Sequence, residues 1–306
     1  MFVPLSQQGE QAGHQFVQCS DEWFEKRKHK MTGSKPSSIF FECKDEESYH
    51  KMWSIIFGER KADPFDERQQ KLVDWGKDME DVAAERFYNT LPGTIVYETS
   101  IIDHPVYDWI AASPDGYIVR IETDATGQPV QPYNVTERAA FEIKCPASNL
   151  RDANGVPMPY EMAKSLKKKK NPPYYYLTQL HFEMVALGTP ITYFYMWTPW
   201  FSRVWKVHFD RQYWQECMSV LDAFRRKELP WEVLDSKIKT WRNTSQAIAR
   251  KYQPLYDWVH APPGAWEQGE RESMKPKPKI ILPQQEILAH SWYSAEEQEI
   301  LRKMFS

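Results

Sequence analysis

Only four cysteines occur in the 306 residues, Cys19, Cys43, Cys145 and Cys217, and no two stand in a C-x-x-C. That scatter excludes a zinc ribbon and a dense disulfide framework, and it fits reduced thiols in an intracellular protein. Glycine is scarce at 12 residues. None of it forms the glycine-rich phosphate loops that bind ATP or NAD. A G-x-S-x-G nucleophile elbow is absent, and the eight histidines make no H-E-x-x-H or other zinc spacing. His181 reads as a packing or surface residue. No apolar run approaches the roughly 18 residues of a membrane span. The first residues show no basic segment followed by an apolar one, so no signal peptide is expected. No internal repeat is visible. Net charge is only −3. The chain as a whole is no polycation, yet nucleic acid stays open as a partner, because binding depends on local basic patches.

A hydrophobic content of 42% supplies a core for one large domain or two small ones. Residues 1–20 are polar and expected to be loose. From Asp21 to Ser38, Lys26, Arg27, Lys28, Lys30 and Lys35 crowd around Trp23, and Thr32-Gly33-Ser34 lies among them. This is either a phosphate-binding edge, with cations and short hydroxyl and amide donors, or a solvated basic helix end. A short helix is predicted over 44–57. A longer one starts at Asp63-Pro64 as N-cap and first-turn proline. Its apolar positions recur at Leu72, Trp75, Met79, Val82 and Phe87, and Leu91-Pro92-Gly93 stops it. Glu80 falls beside that stripe, as a partnered carboxylate or a plain surface glutamate. Residues 94–119 alternate like strands, 121–138 form a turn-rich hairpin excursion, and Ala139–Lys144 is the next strand. Residues 147–173 are expected to be a loop, whose Lys164 and Lys167–Lys170 track a DNA backbone or form a solvated tip. A helix over Tyr174–Leu187, ended by Gly188, places Tyr176, Gln179, Leu180 and Glu183 roughly on one side. Strands at 191–199 and 201–209 and helices over 210–228 and 235–259 follow. From Ala261, proline and lysine mark a linker, closed by a terminal helix with a capping box at Ser294–Glu297.

The rest of the chain is organised around Ser113 to Lys144. Ser113-Pro114-Asp115-Gly116 delivers an aspartate at the end of one strand. Glu142-Ile143-Lys144 presents Glu142 and Lys144 on one face of the next, since strand side chains alternate. Ile143 then points to the core. Two other E-x-K triplets, Glu42-Cys43-Lys44 and Glu59-Arg60-Lys61, have no acidic turn ahead of them. Two carboxylates and a lysine at one point suit magnesium, a hard cation that takes oxygen ligands and keeps waters and phosphate oxygens. Such an ion makes bound water a nucleophile near neutral pH, and a second one roughly 3.5–4 Å away stabilises the leaving oxygen. Asp115 and Glu142 are the expected ligands, with the Ile143 carbonyl and Glu80 as further oxygens. Lys144 would orient or help deprotonate the water and offset charge on the phosphate. A free lysine titrates at about 10.4. Desolvation and neighbouring carboxylates push it in opposite directions, so base and fixed cation both stay open.

Four segments taken in order, Trp75-Gly76-Lys77-Asp78-Met79-Glu80, Ser113-Pro114-Asp115-Gly116, Glu142-Ile143-Lys144-Cys145-Pro146 and Tyr176-Leu177-Thr178-Gln179, carry a resemblance. They resemble the motifs of the lambda-exonuclease-like and YqaJ-like viral recombinase family, within the PD-(D/E)XK nuclease superfamily. Trp23, Arg27, Thr32 and Ser34 match too, and the likeness runs from residue 20 to about residue 228. It implies an α/β (α+β) fold with a restriction-endonuclease-like core, a central mixed β-sheet flanked by helices, and a C-terminal helical extension. The expected divisions are a loose segment over 1–20, a nuclease domain over 21–230, a helical extension over 231–260, and a linker with terminal helix over 261–306.

The resemblance further implies a magnesium-dependent, two-metal exonuclease that degrades one strand of duplex DNA 5′→3′, in viral-type recombination, repair or genome processing. Glu80, Asp115, Glu142 and the Ile143 carbonyl would hold two Mg2+ ions, with Mn2+ able to substitute. Lys144 would position the water and Gln179 would support the site. Arg27 and Ser34 would take the terminal 5′-phosphate. Val73 aligns with an apolar wedge that splits the terminal base pair, and Tyr176 would touch DNA. Implied partners are double-stranded DNA ends, a single-strand annealing protein and two further copies of the chain in a ring. The implied location is the host cytoplasm or the site of viral DNA replication, the nucleus included. The alternatives are a structure-specific or single-strand endonuclease of the same fold and an inactive DNA-end-binding scaffold. Iron–sulfur nucleases of the superfamily are excluded by the unclustered cysteines. Three features depart from the family: a longer excursion between Asp115 and Glu142, the Lys167–Lys170 run, and everything after residue 230. The added segments could block or alter the ring interface.

Overall fold

The computed structural model describes residues 20–58, 60–132, 134–146 and 159–260. In chain order the elements are α1 (Asp21–Arg27), β1 (Met31–Thr32), α2 (Lys35–Glu42), α3 (Glu46–Ile56), α4 (Glu67–Thr90), β2 (Thr94–Tyr97), β3 (Ile102–Asp103), β4 (Ile110–Ala112) and β5 (Gly116–Ile121). Then come β6 (Val135–Lys144), α5 (Pro159–Lys168), a 3₁₀ turn (Tyr174–Tyr176), α6 (Leu177–Leu187), β7 (Ile191–Trp197), β8 (Phe201–His208), α7 (Arg211–Arg225), α8 (Trp231–Ala249) and β9 (Pro254–Val259). Six strands make a mixed sheet in the order β2-β5-β6-β7-β8-β9. Only β6 and β7 run parallel in it, because α5 and α6 return the chain between them. A second sheet of three short strands has the order β1-β4-β3.

The large sheet is covered on both faces, as the period-2 strand pattern requires. On one face Met79, Ala83 and Phe87 of α4 pack with Phe141, Ile143, Tyr193 and Tyr195. On the other, α2, α3, α6, α7 and α8 share a larger cluster with Phe194, Met196, Trp205 and Val207. Phe87 lies 4.5 Å from Phe141 between ring centroids. Burying one such side chain is worth about 1.5–3 kcal/mol. This is the expected class of fold: a mixed sheet flanked by helices.

Several sequence expectations are corrected here. The N-cap of α4 is Asp66, not Asp63: the Asp66 side chain accepts from Gln69 N at 2.7 Å while Asp66 N donates to Gln69 Oε1 at 2.9 Å, a closed capping box. The Asp63 carboxylate is occupied by Lys51 at 2.6 Å and Arg60 at 3.2 Å. Asp115 precedes strand β5 instead of ending a strand. Residues 159–168 are helix, not loop. The helix expected to run to residue 259 stops at Ala249, since Pro254 ahead cannot join it. Residues 254–259 instead form an edge strand on β8, where a proline needs no ladder donor. α8 is packed into the body of the protein: Trp241 stacks on Phe40 at 4.9 Å and on Tyr213 at 4.2 Å. The expected loose N-terminal residues 1–19, the Glu59 of one E-x-K triplet, residues 147–158 of the expected loop and the linker with its terminal helix lie outside the described residues.

Candidate active site

Strand β6 ends with its last side chains divided between the two faces of the sheet. Ile143 enters the α4 cluster, and Glu142 and Lys144 point to the α6 side. β5 lies antiparallel beside β6, with Gly116 opposite Phe141. A Cβ on Gly116 would stand 3.0 Å from Val96, 3.1 Å from the Tyr97 carbonyl and 3.3 Å from Phe141. Only glycine lets the chain pass that closely. The next residue back, Asp115, thereby meets Ile143, whose N–H donates to Asp115 Oδ2 at 2.6 Å.

Glu142 is 2% exposed. Its Oε1 accepts from Lys144 Nζ and from Gln179 Nε2. Gln179 Nε2 also donates to Glu183 Oε1 at 2.9 Å, one helical turn on in α6. Glu142 Oε2 and Glu183 Oε2 are buried with no hydrogen-bond partner. An unpaired buried carboxylate oxygen is costly, so two together mark a place built for something positive. Burial pushes the Asp115 carboxyl well up, and Glu142 and Glu80 add to the shift. Burial likewise pushes Glu183 well up, with Glu142 next in effect. For Lys144, burial alone would lower the ammonium, but Glu142 and Asp115 outweigh it and raise it.

A cleft of about 380 Å³ opens over this end of the sheet, lined by Leu72, Val73, Gly76, Lys77 and Glu80 of α4, by Asp115, by Ile143–Pro146 and by Tyr176. The Lys144 ammonium lies 5.6 Å from the Tyr176 ring centroid. The expected site residues Glu80, Asp115, Ile143, Lys144, Val73 and Tyr176 therefore share one cavity wall, with Glu142 and Gln179 behind it. Among the described residues, no three acidic, histidine or cysteine side chains already stand in a metal-holding cluster. Asp115 Oδ2 is turned to a backbone N–H, and Glu142 Oε1 to Lys144 and Gln179. The donor set is still the hard-oxygen kind that magnesium takes, and the orphaned Glu142 oxygen fits a cation.

Arg27 and Ser34 are outside the cleft lining, on the adjoining α1–β1–α2 segment. The Arg27 guanidinium lies 4.0 Å over the Trp23 ring and donates to Thr32 Oγ1 at 2.7 Å. Trp23 Nε1 donates to Ser113 Oγ at 3.2 Å, two residues before Asp115. Ser34 is exposed at the N-cap of α2, and its side chain makes no capping bond. Between them Gly33 rests against α6, where a Cβ would stand 3.6 Å from Glu183 Oε1 and 3.9 Å from Gln179 Cγ. That seam joins the Arg27–Ser34 segment to the buried Gln179–Glu183 pair.

A family model for the YqaJ-like viral recombinase domain matches residues 22–189, more than half of the chain. The chain belongs to the YqaJ-like viral recombinase family. As a member of that nuclease family it is an enzyme, a deoxyribonuclease. No curated protein matches it in sequence. Among solved structures it is similar to LHK-Exo in complex with dAMP, at 20% identity and a TM-score of 0.48, and to the alkaline exonuclease LHK-Exo from Laribacter hongkongensis, at 20% identity and 0.46. Each likeness covers 75% of this chain and 100% of the other.

Glu183 is the residue that sequence reading placed beside Gln179 without giving it a part. Its signal was a carboxylate in a mostly apolar helix, one turn from a glutamine. Of the two readings of His181, packing or surface, the structure shows packing: it is buried, Nδ1 lies 2.8 Å from the Leu177 carbonyl and Nε2 accepts from Asp210 N at 3.1 Å.

Proposed function

We propose that this deoxyribonuclease uses magnesium to hydrolyse one strand of duplex DNA from its 5′ end. The observation that carries this reading is the seam at Gly33, where the Arg27–Thr32–Ser34 segment abuts Gln179 and Glu183 behind Glu142. A cationic segment with a free hydroxyl suits a terminal phosphate, and it sits next to the carboxylates that suit the metal. Asp115, Glu142, Glu80 and the Ile143 carbonyl would hold two ions, with manganese an acceptable substitute. Bound there, the metal would supply an activated water and charge stabilisation.

The side chains around it have separable tasks. Lys144 orients the attacking water and offsets phosphate charge. Gln179 fixes the Glu142 carboxylate, and Glu183 fixes the Gln179 amide. Arg27 and Ser34 register the 5′-phosphate, so that the scissile bond is counted from the end. Val73 on α4 takes the wedge position against the terminal base pair, with Tyr176 opposite. Recombination, repair or genome processing is the setting for such an activity. A ring of three copies and a single-strand annealing partner belong to the same reading, and analytical ultracentrifugation gives the copy number.

End-labelled linear duplex and covalently closed circles, incubated with magnesium, test the proposal. Linear duplex should be consumed from 5′-phosphorylated ends while circles survive. Equal cutting of both would replace it by an endonuclease; binding without cutting in any divalent metal would replace it by a scaffold. Arg27→Ala should erase the preference for phosphorylated over hydroxyl 5′ ends.

A further inference from the structure

Lys167, Lys168, Lys169 and Lys170 close α5 and the turn behind it, and among the described residues none of the four makes an ion pair. Two lysines in a last helical turn are ordinary partners of the helix dipole. Lys169 and Lys170 lie beyond that turn, and the backbone carrying them is anchored. The Arg203 guanidinium donates to the Leu166 carbonyl at 3.2 Å and to the Lys169 carbonyl. Trp205 Nε1 donates to the Lys170 carbonyl at 3.1 Å, and Asn171 Nδ2 to the Tyr252 carbonyl at 2.9 Å. Arg203 is itself buried at 6% exposure and held by both oxygens of Asp257, at 2.5 and 2.6 Å. That pairing neutralises the nearby carboxylate and fixes the carbonyls, while Lys167, Lys168 and Lys170 project into solvent. Arg250 is also exposed and makes no ion pair among the described residues; its carbonyl lies 3.5 Å from Asn171 Nδ2.

The chain then runs from Lys170 through Pro172-Pro173 into the Tyr174–Tyr176 turn, and Tyr176 lines the cleft. Five residues separate Lys170 from Tyr176, six chain steps with a reach of at most about 20 Å. Tyr175, between the two, is 39% exposed, with its ring 4.6 Å from that of Tyr176.

We propose that Lys167–Lys170, with Arg250, form a preorganised track for the phosphate backbone of duplex DNA leading to the cleft. The inference rests on the nuclease reading for its choice of polyanion. Phosphates are matched by cations that no carboxylate competes for, on a backbone that loses little freedom when they bind.

The test is binding of a blunt, 5′-phosphorylated duplex in chelator, followed by fluorescence anisotropy across a sodium chloride series. Replacing all four lysines by glutamine should weaken binding about tenfold or more near 0.15 M salt and flatten the log–log salt slope by about 3 to 4. Replacing all four by arginine should restore both. A glutamine variant with unchanged affinity and slope and a wild-type melting temperature would overturn the track; capture of an acidic protein by the wild type alone would then assign the face to that partner. If the glutamine variant misfolds, Lys167→Gln/Lys170→Gln should still flatten the slope by about 2. Because no metal is present, these results stand apart from cleavage. A wild-type protein that binds through these lysines yet never cuts supports the track and sinks the nuclease reading, whereas one that cuts with full affinity after their loss does the reverse.

Discussion

Helices α6 and α4 flank the carboxylate end of β6 from opposite faces of the sheet, and they are packed very differently. Every residue of α6 is buried. α4 buries only Met79, Ala83 and Phe87 among its described side chains and leaves its first turns largely in water. The wall that orients Glu142 is thus surrounded on all sides, and the wall that carries Val73 and Glu80 is held along one stripe. Chemistry needs carboxylates fixed to within a fraction of an ångström. Access needs a surface that can give way as a duplex end arrives. The difference suggests a division of labour, with catalysis set by α6 and β6 and admission by α4.

Activity gives the sharpest way to break that division. Glu142→Gln should lower cleavage of linear duplex about a thousandfold or more, close to 4 kcal/mol of transition-state stabilisation, and leave binding in chelator intact. Activity within tenfold of wild type would remove Glu142 from the centre. Stability separates the walls next. Phe182→Ala in α6 should cost about 3–5 kcal/mol in urea unfolding, and Leu72→Ala on α4 under about 1 kcal/mol; equal losses would erase the contrast.

A third outcome carries the opposite sign. A carboxyl whose folded-state pKa is raised gives up stability as pH climbs from the ordinary carboxylate range, because the unfolded chain then releases a proton that the folded protein keeps. Glu183 is such a group. In metal-free protein, Glu183→Gln should therefore raise stability by about 1–3 kcal/mol at pH 8, and the gap to wild type should close at pH 5. A gap independent of pH would mean that the effect is one of shape alone. The smallest effect is expected on the open wall: Val73→Ala should slow degradation of blunt duplex a few-fold and leave ends that are already frayed almost unaffected.

Much of this site could be read from residue order. Strand alternation put Glu142 and Lys144 on one face, whereas Asp115, expected at a strand's end, lies just ahead of β5; Arg27 and Ser34 had only their place in the family's pattern to mark them. Two kinds of information were hidden. Glu183 sits in a helix buried all round, which shows no apolar period to set a buried carboxylate apart from a surface one. Its meaning depends on a hydrogen bond to Gln179 and a seam with Gly33 about 150 residues upstream. The end of α8 was legible after all: Pro254 forbids a helix there, and apolar residues on both sides of it concealed a strand whose partner, β8, lies some 50 residues earlier. α5 was obscured by its lysines, since only Leu166 anchors its last turn within the described side chains.

The long excursion between Asp115 and Glu142 leads in another direction. β5 and β6 run antiparallel from Gly116 and Phe141 to Ile121 and Val135, so the turn joining them stands at the far end of the pair. Five strand steps put it about 17 Å from the carboxylates. Asp124 holds that turn, accepting from Thr126 N at 2.8 Å and Gln128 N at 3.0 Å, and Ala125, next to it in the chain, is exposed. A thiol introduced by Ala125→Cys would offer an attachment point for a dye or a glass-bound tether, from which single molecules could be watched shortening one DNA at a time.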